Sequence, residues 1–196
     1  QTCALPISCQ ARMKESVQII WVDCEMTGLS LTHDALIEVA VIVTDGNLEE
    51  LDPGFEVIIK PPQEALAQMS DFVRNMHEES GLLDLLDEGM SLSQAEQELV
   101  NYLKKLEIEP GKSPLAGNSL IMDRNFLARD MSDFEKYLHY RVIDVSSIKE
   151  LVKRWYPKVY FAAPEKNGNH RALGDVQDSI NELKHYRKLV FLQNNI

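Results

Sequence analysis

Long hydrophobic runs are missing from this 196-residue chain, and cysteine, aromatic residues and positive charge are all scarce. The most apolar stretch, Ala35 to Thr44, includes Glu38 and is far shorter than a membrane span, so it reads as a buried strand. Cys3, Cys9 and Cys24 are an odd count without metal-type pairing, which fits a reducing compartment better than a disulfide framework. The 20 Lys and Arg are outnumbered by 31 Asp and Glu, giving a net charge of −11. That balance argues against a broad basic groove gripping many phosphates of a long nucleic acid. It leaves two partners open: something other than nucleic acid, or a substrate so short that bound cations supply most of the positive charge.

What is present suits one globular domain. An apolar share of 44% with 26% charged residues supports an ordinary core at this length. Residues 1–16 show no periodicity, lack an initiator Met at their start and lack the apolar core of a secretory signal. They are expected to be a disordered or leader segment, with Met13 a candidate first residue of the functional core. With an organelle-targeting remnant open, the expected location is intracellular, mitochondrial and/or cytoplasmic. Residues 17–196 are expected to form the folded domain.

Val17 to Val22, Ala35 to Thr44 and Phe55 to Lys60 read as three strands, the last stopped by Pro61-Pro62, in an antiparallel meander. Ser91-Leu92-Ser93-Gln94 opens a helix with Ala95, Leu99, Tyr102, Leu103 and Leu106 at helical spacing, ended by Pro110-Gly111. Pro114 to Asn118 is a fourth strand, followed by a helix through Phe126 and Leu127. Tyr140 to Val145 is a fifth. Ser147-Ile148-Lys149-Glu150 has the capping-box pattern of a helix running to about Trp155. After the polar loop Pro164 to Asn169, Leu173, Val176, Ile180, Leu183 and Val190 form the apolar stripe of a last helix. The fold class is therefore α/β, a central mixed five-stranded sheet flanked by helices.

Asp23 and Glu25 lie two apart at the end of the first strand, so both face one side while Cys24 faces the core. Buried like charges are costly unless a cation lies between them. Asp123 follows the fourth strand, His170 lies in the polar loop, and Asp175 begins the last helix. Each alone has an ordinary reading, as a turn acid, a helix-start acid or a surface histidine. Together they fit one mechanism. Two Mg2+ or Mn2+ ions, about 4 Å apart, would bridge a phosphodiester. Asp23, Glu25 and Asp175 would ligate one ion, Asp23 would reach the second, and Asp123 would hold the site directly or through water. His170 would take the proton of the attacking water.

The pattern Asp23-x-Glu25, Asp123, His170-x4-Asp175 resembles the DEDDh class of 3′→5′ exonucleases, whose fold is ribonuclease H-like. Within that class the chain resembles the oligoribonuclease family, read here as its eukaryotic small-RNA branch. The similarity runs from about Ile19 to Phe191 and rests on Trp21 to Gly28, Gly117-Asn118-Ser119, Asp123 to Leu127, His139 to Ser146, and Lys149 to Pro157. The resemblance implies hydrolysis of RNAs of two to a few nucleotides to mononucleotides, by a homodimer. It also implies that Leu29 wedges against the bases and that Phe72 stacks on one. Ser119, Arg141 and Ser146 would cap the 5′ phosphate, with Tyr140 reaching in from the second subunit. One Arg and a few hydroxyls would suffice for so small a ligand, which reconciles the activity with the acidity. One departure is Gly174, where relatives often carry an acid before Asp175; glycine costs about 1 kcal/mol relative to Ala inside a helix. Two alternatives stand beside this reading: an exonuclease acting on longer DNA or RNA, and a nucleotide-binding interaction module without catalysis.

Overall fold

Five strands in the order β3-β2-β1-β4-β5 make one mixed sheet in the computed structural model, which describes residues 18–165 and 171–191. The leader segment and His170 lie outside the described residues. Strands β1 (Ile19–Met26), β2 (Leu36–Thr44) and β3 (Phe55–Ile58) form the expected antiparallel meander. Strands β4 (Ser113–Gly117) and β5 (Leu138–Asp144) add in parallel beyond β1. Every residue of β2 is buried, because helices cover it on both faces; that explains a continuous apolar run rather than an alternating one.

Helices α1 (Gln63–Gln68) and α2 (Asp71–Glu79) and a 3-10 turn (Leu83–Glu88) follow β3, and α3 (Leu92–Lys105) leads to β4. Next come α4 (Ile121–Asp130) and α5 (Ser132–Glu135), then α6 (Val145–Trp155) and α7 (Pro157–Phe161) after β5, and α8 (Ala172–Leu189) last. Ser91 and Gln94 form the capping box that starts α3. Alternation along β1 divides the core. Ile20, Val22 and Cys24 pack toward α3, α4 and α5, whereas Ile19 and Trp21 pack toward α6 and α8. Trp21 is fully buried, and its indole N–H donates to Thr44 Oγ1 at 3.0 Å, so the largest core side chain keeps a polar partner.

Three expectations change. Strand β1 does not stop at Val22 but continues through both acids, because Ala40 and Glu38 of β2 pair with Asp23 and Glu25. Helix α6 begins at Val145, capped by Asp144, whose carboxylate accepts the Ser146 N–H at 2.9 Å. The Ser147 pattern therefore lies inside the helix rather than at its start. The stretch between Pro61 and Met90, unassigned by periodicity, holds two short helices and the 3-10 turn. Among the described residues, no helix is long and apolar enough to cross a membrane.

Candidate active site

Asp23 and Glu25 continue the row begun by Ile19 and Trp21, so they point at the face covered by α8. Helix α8 places Asp175 in its first turn, and one carboxylate oxygen from each of the three acids lies within 4.8 Å of the others. The site sits at the carboxyl ends of β1 and its parallel neighbour β4, where loops leave the sheet. Asp123, in the first turn of α4, is buried and reaches β1 from the opposite face. Its Oδ1 accepts the backbone N–H of Cys24 at 3.0 Å, pinning the residue between the two strand acids.

Burial and neighbouring carboxylates together set the electrostatics of the cluster. Burial, and then the charges of Asp123, Glu25 and Asp175, push the Asp23 carboxyl well above the usual range. Glu25 is pushed up to about 8, first by burial and then by Asp175, Glu38 and Asp123, with Arg171 opposing. Asp123 rises to about 6, again chiefly through burial, with the hydrogen bonds it accepts pulling the other way. Acid oxygens that are partly buried, converging and mutually repelling fit a hard divalent cation.

A second tier, outside the candidate site residues read from the sequence, holds this cluster. Glu38 lies opposite Glu25 and is fully buried. Its Oε1 accepts from Arg171 Nε and Nη2 at 2.9 and 2.8 Å, and its Oε2 accepts the Ala172 N–H at 3.0 Å. These bonds tie β2 to the start of α8. His77 of α2 is also buried, with Nε2 2.9 Å from the Met26 carbonyl and Nδ1 3.9 Å from Glu25 Oε2.

Leu29 and Phe72 are both exposed, at 67% and 78%, and together line a cleft of about 290 Å³ that also includes Glu25, Met26 and Met76. The loop bearing Leu29 is held by Asp34, whose carboxylate accepts from the Thr27 hydroxyl at 2.9 Å and the Ser30 N–H at 2.8 Å. Ser119 and Ser146 meet with hydroxyls 3.0 Å apart, and Asp144 Oδ1 accepts both backbone N–H groups. Ser119 has φ +58°, a strained conformation for a residue with a Cβ, which the surrounding bonds hold in place. On β5, Arg141 stacks its guanidinium over the Tyr140 ring at 5.3 Å, and Tyr140 is 73% exposed. A larger groove of about 760 Å³, lined by Leu31, Pro61, Pro62, Leu92 and Arg129, contains none of the candidate residues.

This sheet order, with acids gathered at its carboxyl edge, defines the ribonuclease H-like class of exonucleases. The chain belongs to the family described as Exonuclease, which matches residues 20–183, and within it to the oligoribonucleases. It is 57% identical to the oligoribonuclease of Streptomyces griseus over 175 residues, covering 89% of this chain and 87% of that protein. It is 53% identical to that of Cutibacterium acnes over 174 residues, covering 89% and 86%. The fold alone is shared with the zinc-bound E. coli exonuclease I complex with single-stranded DNA. There the TM-score is 0.68 at 15% identity, over 89% of this chain and 41% of that longer one.

Proposed function

We propose that this protein is a metal-dependent 3′→5′ exoribonuclease that degrades RNAs of two to a few nucleotides to 5′-mononucleotides. The observation that carries the reading is the convergence of the half-buried acids Asp23, Glu25 and Asp175 in one cluster, in a chain so similar to oligoribonucleases. Asp23, Glu25 and Asp175 would hold two divalent ions, Mg2+ or Mn2+, with Asp123 fixing the strand between them. When bound, the ions supply positive charge for the phosphate and for activation of water. Around them the chain's own groups do the rest. His170 accepts the proton of the attacking water as general base. Leu29 and Phe72 hold the bases in the cleft beside Glu25. Ser119, Ser146 and Arg141 donate to the 5′ phosphate, rewarding a strand that ends there.

The active form in this reading is a homodimer, with Tyr140 of the partner subunit closing the cap. The exposed apolar side chains on the edge strand β5 support it. A mitochondrial location rests on the leader reading of residues 1–16, and a place in the eukaryotic branch on the sequence resemblance; the relatives compared above are bacterial.

Cleavage of 5′-labelled RNAs from two to about twenty nucleotides, with Mn2+ and with chelator, tests the reading. Fast, metal-dependent loss of the shortest with long strands nearly untouched is the expected result. Equal cutting of long strands would discard the cap and keep the metal site. Absence of cutting would favour a binding module.

A further inference from the structure

Asn118, in the turn between β4 and α4, has its side-chain amide fixed from two sides. Its Nδ2 donates to Ser179 Oγ at 2.8 Å and to Glu182 Oε2 at 3.3 Å, both on the buried side of α8. Ser179 in turn donates to the backbone carbonyl of Asp175 at 2.9 Å, which leaves its oxygen to accept from Asn118. On the other side, Asn118 Oδ1 accepts the Ser146 hydroxyl at 2.9 Å, and that hydroxyl lies 3.0 Å from Ser119 Oγ. Turning the amide over would set its oxygen against the Glu182 carboxylate, so the carboxylate dictates the orientation. Glu182 is itself held by Lys149 Nζ at 2.9 Å and by the Tyr186 hydroxyl at 2.8 Å. A hydrogen-bond relay therefore runs from the peptide carbonyl of Asp175 to the Ser146 hydroxyl at the start of α6 and the Ser119 hydroxyl beside it.

We infer that Asn118 is a specificity-determining positioning residue, which sets the register between the Ser119–Ser146 pair and the Asp23–Glu25–Asp175 cluster. The inference rests on the reading of the two serines as a 5′-phosphate cap. The Ser146 hydroxyl donates to Asn118, so the amide fixes the serine oxygen relative to α8 and keeps the Ser119 hydroxyl beside it. A terminal phosphate, with its extra negative charge, gains more from a fixed cap than an internal diester does. Removing the amide therefore costs a strand that ends at the cap more than one that continues past it. Length is read as the span between the hydroxyl pair and the acids, with Asn118 as the spacer.

The test compares kcat/KM for a 5′-phosphorylated dinucleotide and a seven-nucleotide RNA under enzyme excess, in the full chain with Mn2+. The proteins are wild type, Asn118→Ala, Ser146→Ala and the double variant. Asn118→Ala is expected to lower the dinucleotide value about 10- to 100-fold while the longer RNA changes less than about threefold. On the dinucleotide the double variant should be no worse than the poorer single variant, because the two act through one bond. An equal loss on both RNAs, or multiplicative effects in the double variant, would overturn the inference by reducing Asn118 to a fold residue. A length preference flattened by Ser146→Ala but not by Asn118→Ala leaves the cap standing and removes Asn118 from it. A preference untouched by Ser146→Ala overturns the cap, and this inference with it. Should Asn118→Ala fail to fold, Ser179→Ala cuts the relay at α8, and the same selective loss on the dinucleotide is required.

Discussion

Glu38 faces Glu25 directly across β1 and β2, and Arg171 donates two guanidinium hydrogen bonds to Glu38, whereas Glu25 has His77 Nδ1 3.9 Å from its Oε2. The asymmetry assigns their tasks. Glu38, fully buried, fastens β2 to the start of α8, while Glu25 is left in the acid cluster. Arg171→Ala leaves the Glu38 charge buried with one backbone donor, and breaking such a pair costs about 3–5 kcal/mol. Denaturant unfolding should show that loss. Glu38→Gln, which removes the charge and keeps an acceptor, should cost clearly less. Equal losses for the two would mean that packing, rather than charge, dominates the contact.

The metal-free protein should lose stability as pH rises. Glu25 is raised to about 8 and Asp123 to about 6, and Asp23 moves in the same direction. A carboxyl raised in the folded state binds its proton more tightly there than in the unfolded chain. Its stabilising contribution is therefore complete below the ordinary carboxylate range and lost as pH climbs through the folded value. With chelator, melting temperature is expected to fall between about pH 5 and pH 8.5, and Glu25→Gln should flatten that fall. Mn2+ should act in the opposite sense, stabilising more as the acids deprotonate. A metal-free melting temperature that does not change with pH would contradict this electrostatic account.

Removing an acid of the proposed metal site should separate stability from activity. Asp175→Asn takes one half-buried carboxylate out of a cluster whose members raise one another, so the metal-free variant is expected to melt a few degrees higher than wild type, about 1–2 kcal/mol. Activity should fall at least about 100-fold, and the melting shift produced by Mn2+ should shrink. A variant that melts lower without metal would show that the Asp175 carboxylate has structural bonds outweighing the repulsion.

Much of this site was legible because strand alternation is strict. Two acids spaced by one residue at the end of an apolar run had to share a face, and Cys24 had to enter the core. The length of β1 was not legible, because its continuation depends on Ala40 and Glu38 of a neighbouring strand. Glu38 itself stood out as an acid inside an apolar run, but its partner lies 133 residues away. The Ser147 pattern misplaced the start of α6 because Asp144, three residues earlier, takes the cap and also accepts the N–H of Ser119. Helices α1 and α2 have only six and nine residues, so neither repeats its pattern over enough turns to stand out in the sequence. Asn118 lies in a motif that the sequence marked, but its partners Ser179 and Glu182 come from the last helix.

Gly28 should matter for substrate affinity through the loop that holds Leu29. A Cβ at this position would lie 2.5 Å from Asp34 Oδ2, and that carboxylate is already committed to Thr27 and Ser30. Gly28→Ala therefore displaces Asp34 and loosens the wall of the cleft shared by Leu29 and Phe72. The expected effect is a rise in KM of about tenfold with kcat changed far less, because the acids on β1 stay paired with β2. A fall in kcat at unchanged KM would place the damage at the acid cluster.

The edge of the sheet gives the last test. Strand β5 ends the sheet, and its Tyr140 and Val142 are exposed at 73% and 45%. The helix that follows presents Leu151 and Trp155 one turn apart, also exposed. Proteins cover an apolar sheet edge of this kind, and a second copy of the chain would do so. Trp155→Glu places a charge in that surface and should shift sedimentation from dimer to monomer. Dinucleotide cleavage should then fall at least about tenfold, because in the proposed dimer Tyr140 of the partner subunit would no longer close the cap. The Mn2+-dependent melting shift should persist, since Asp23, Glu25 and Asp175 come from one chain. A monomeric variant with undiminished dinucleotide cleavage would remove the second subunit from the site and assign Tyr140 to its own chain's cap.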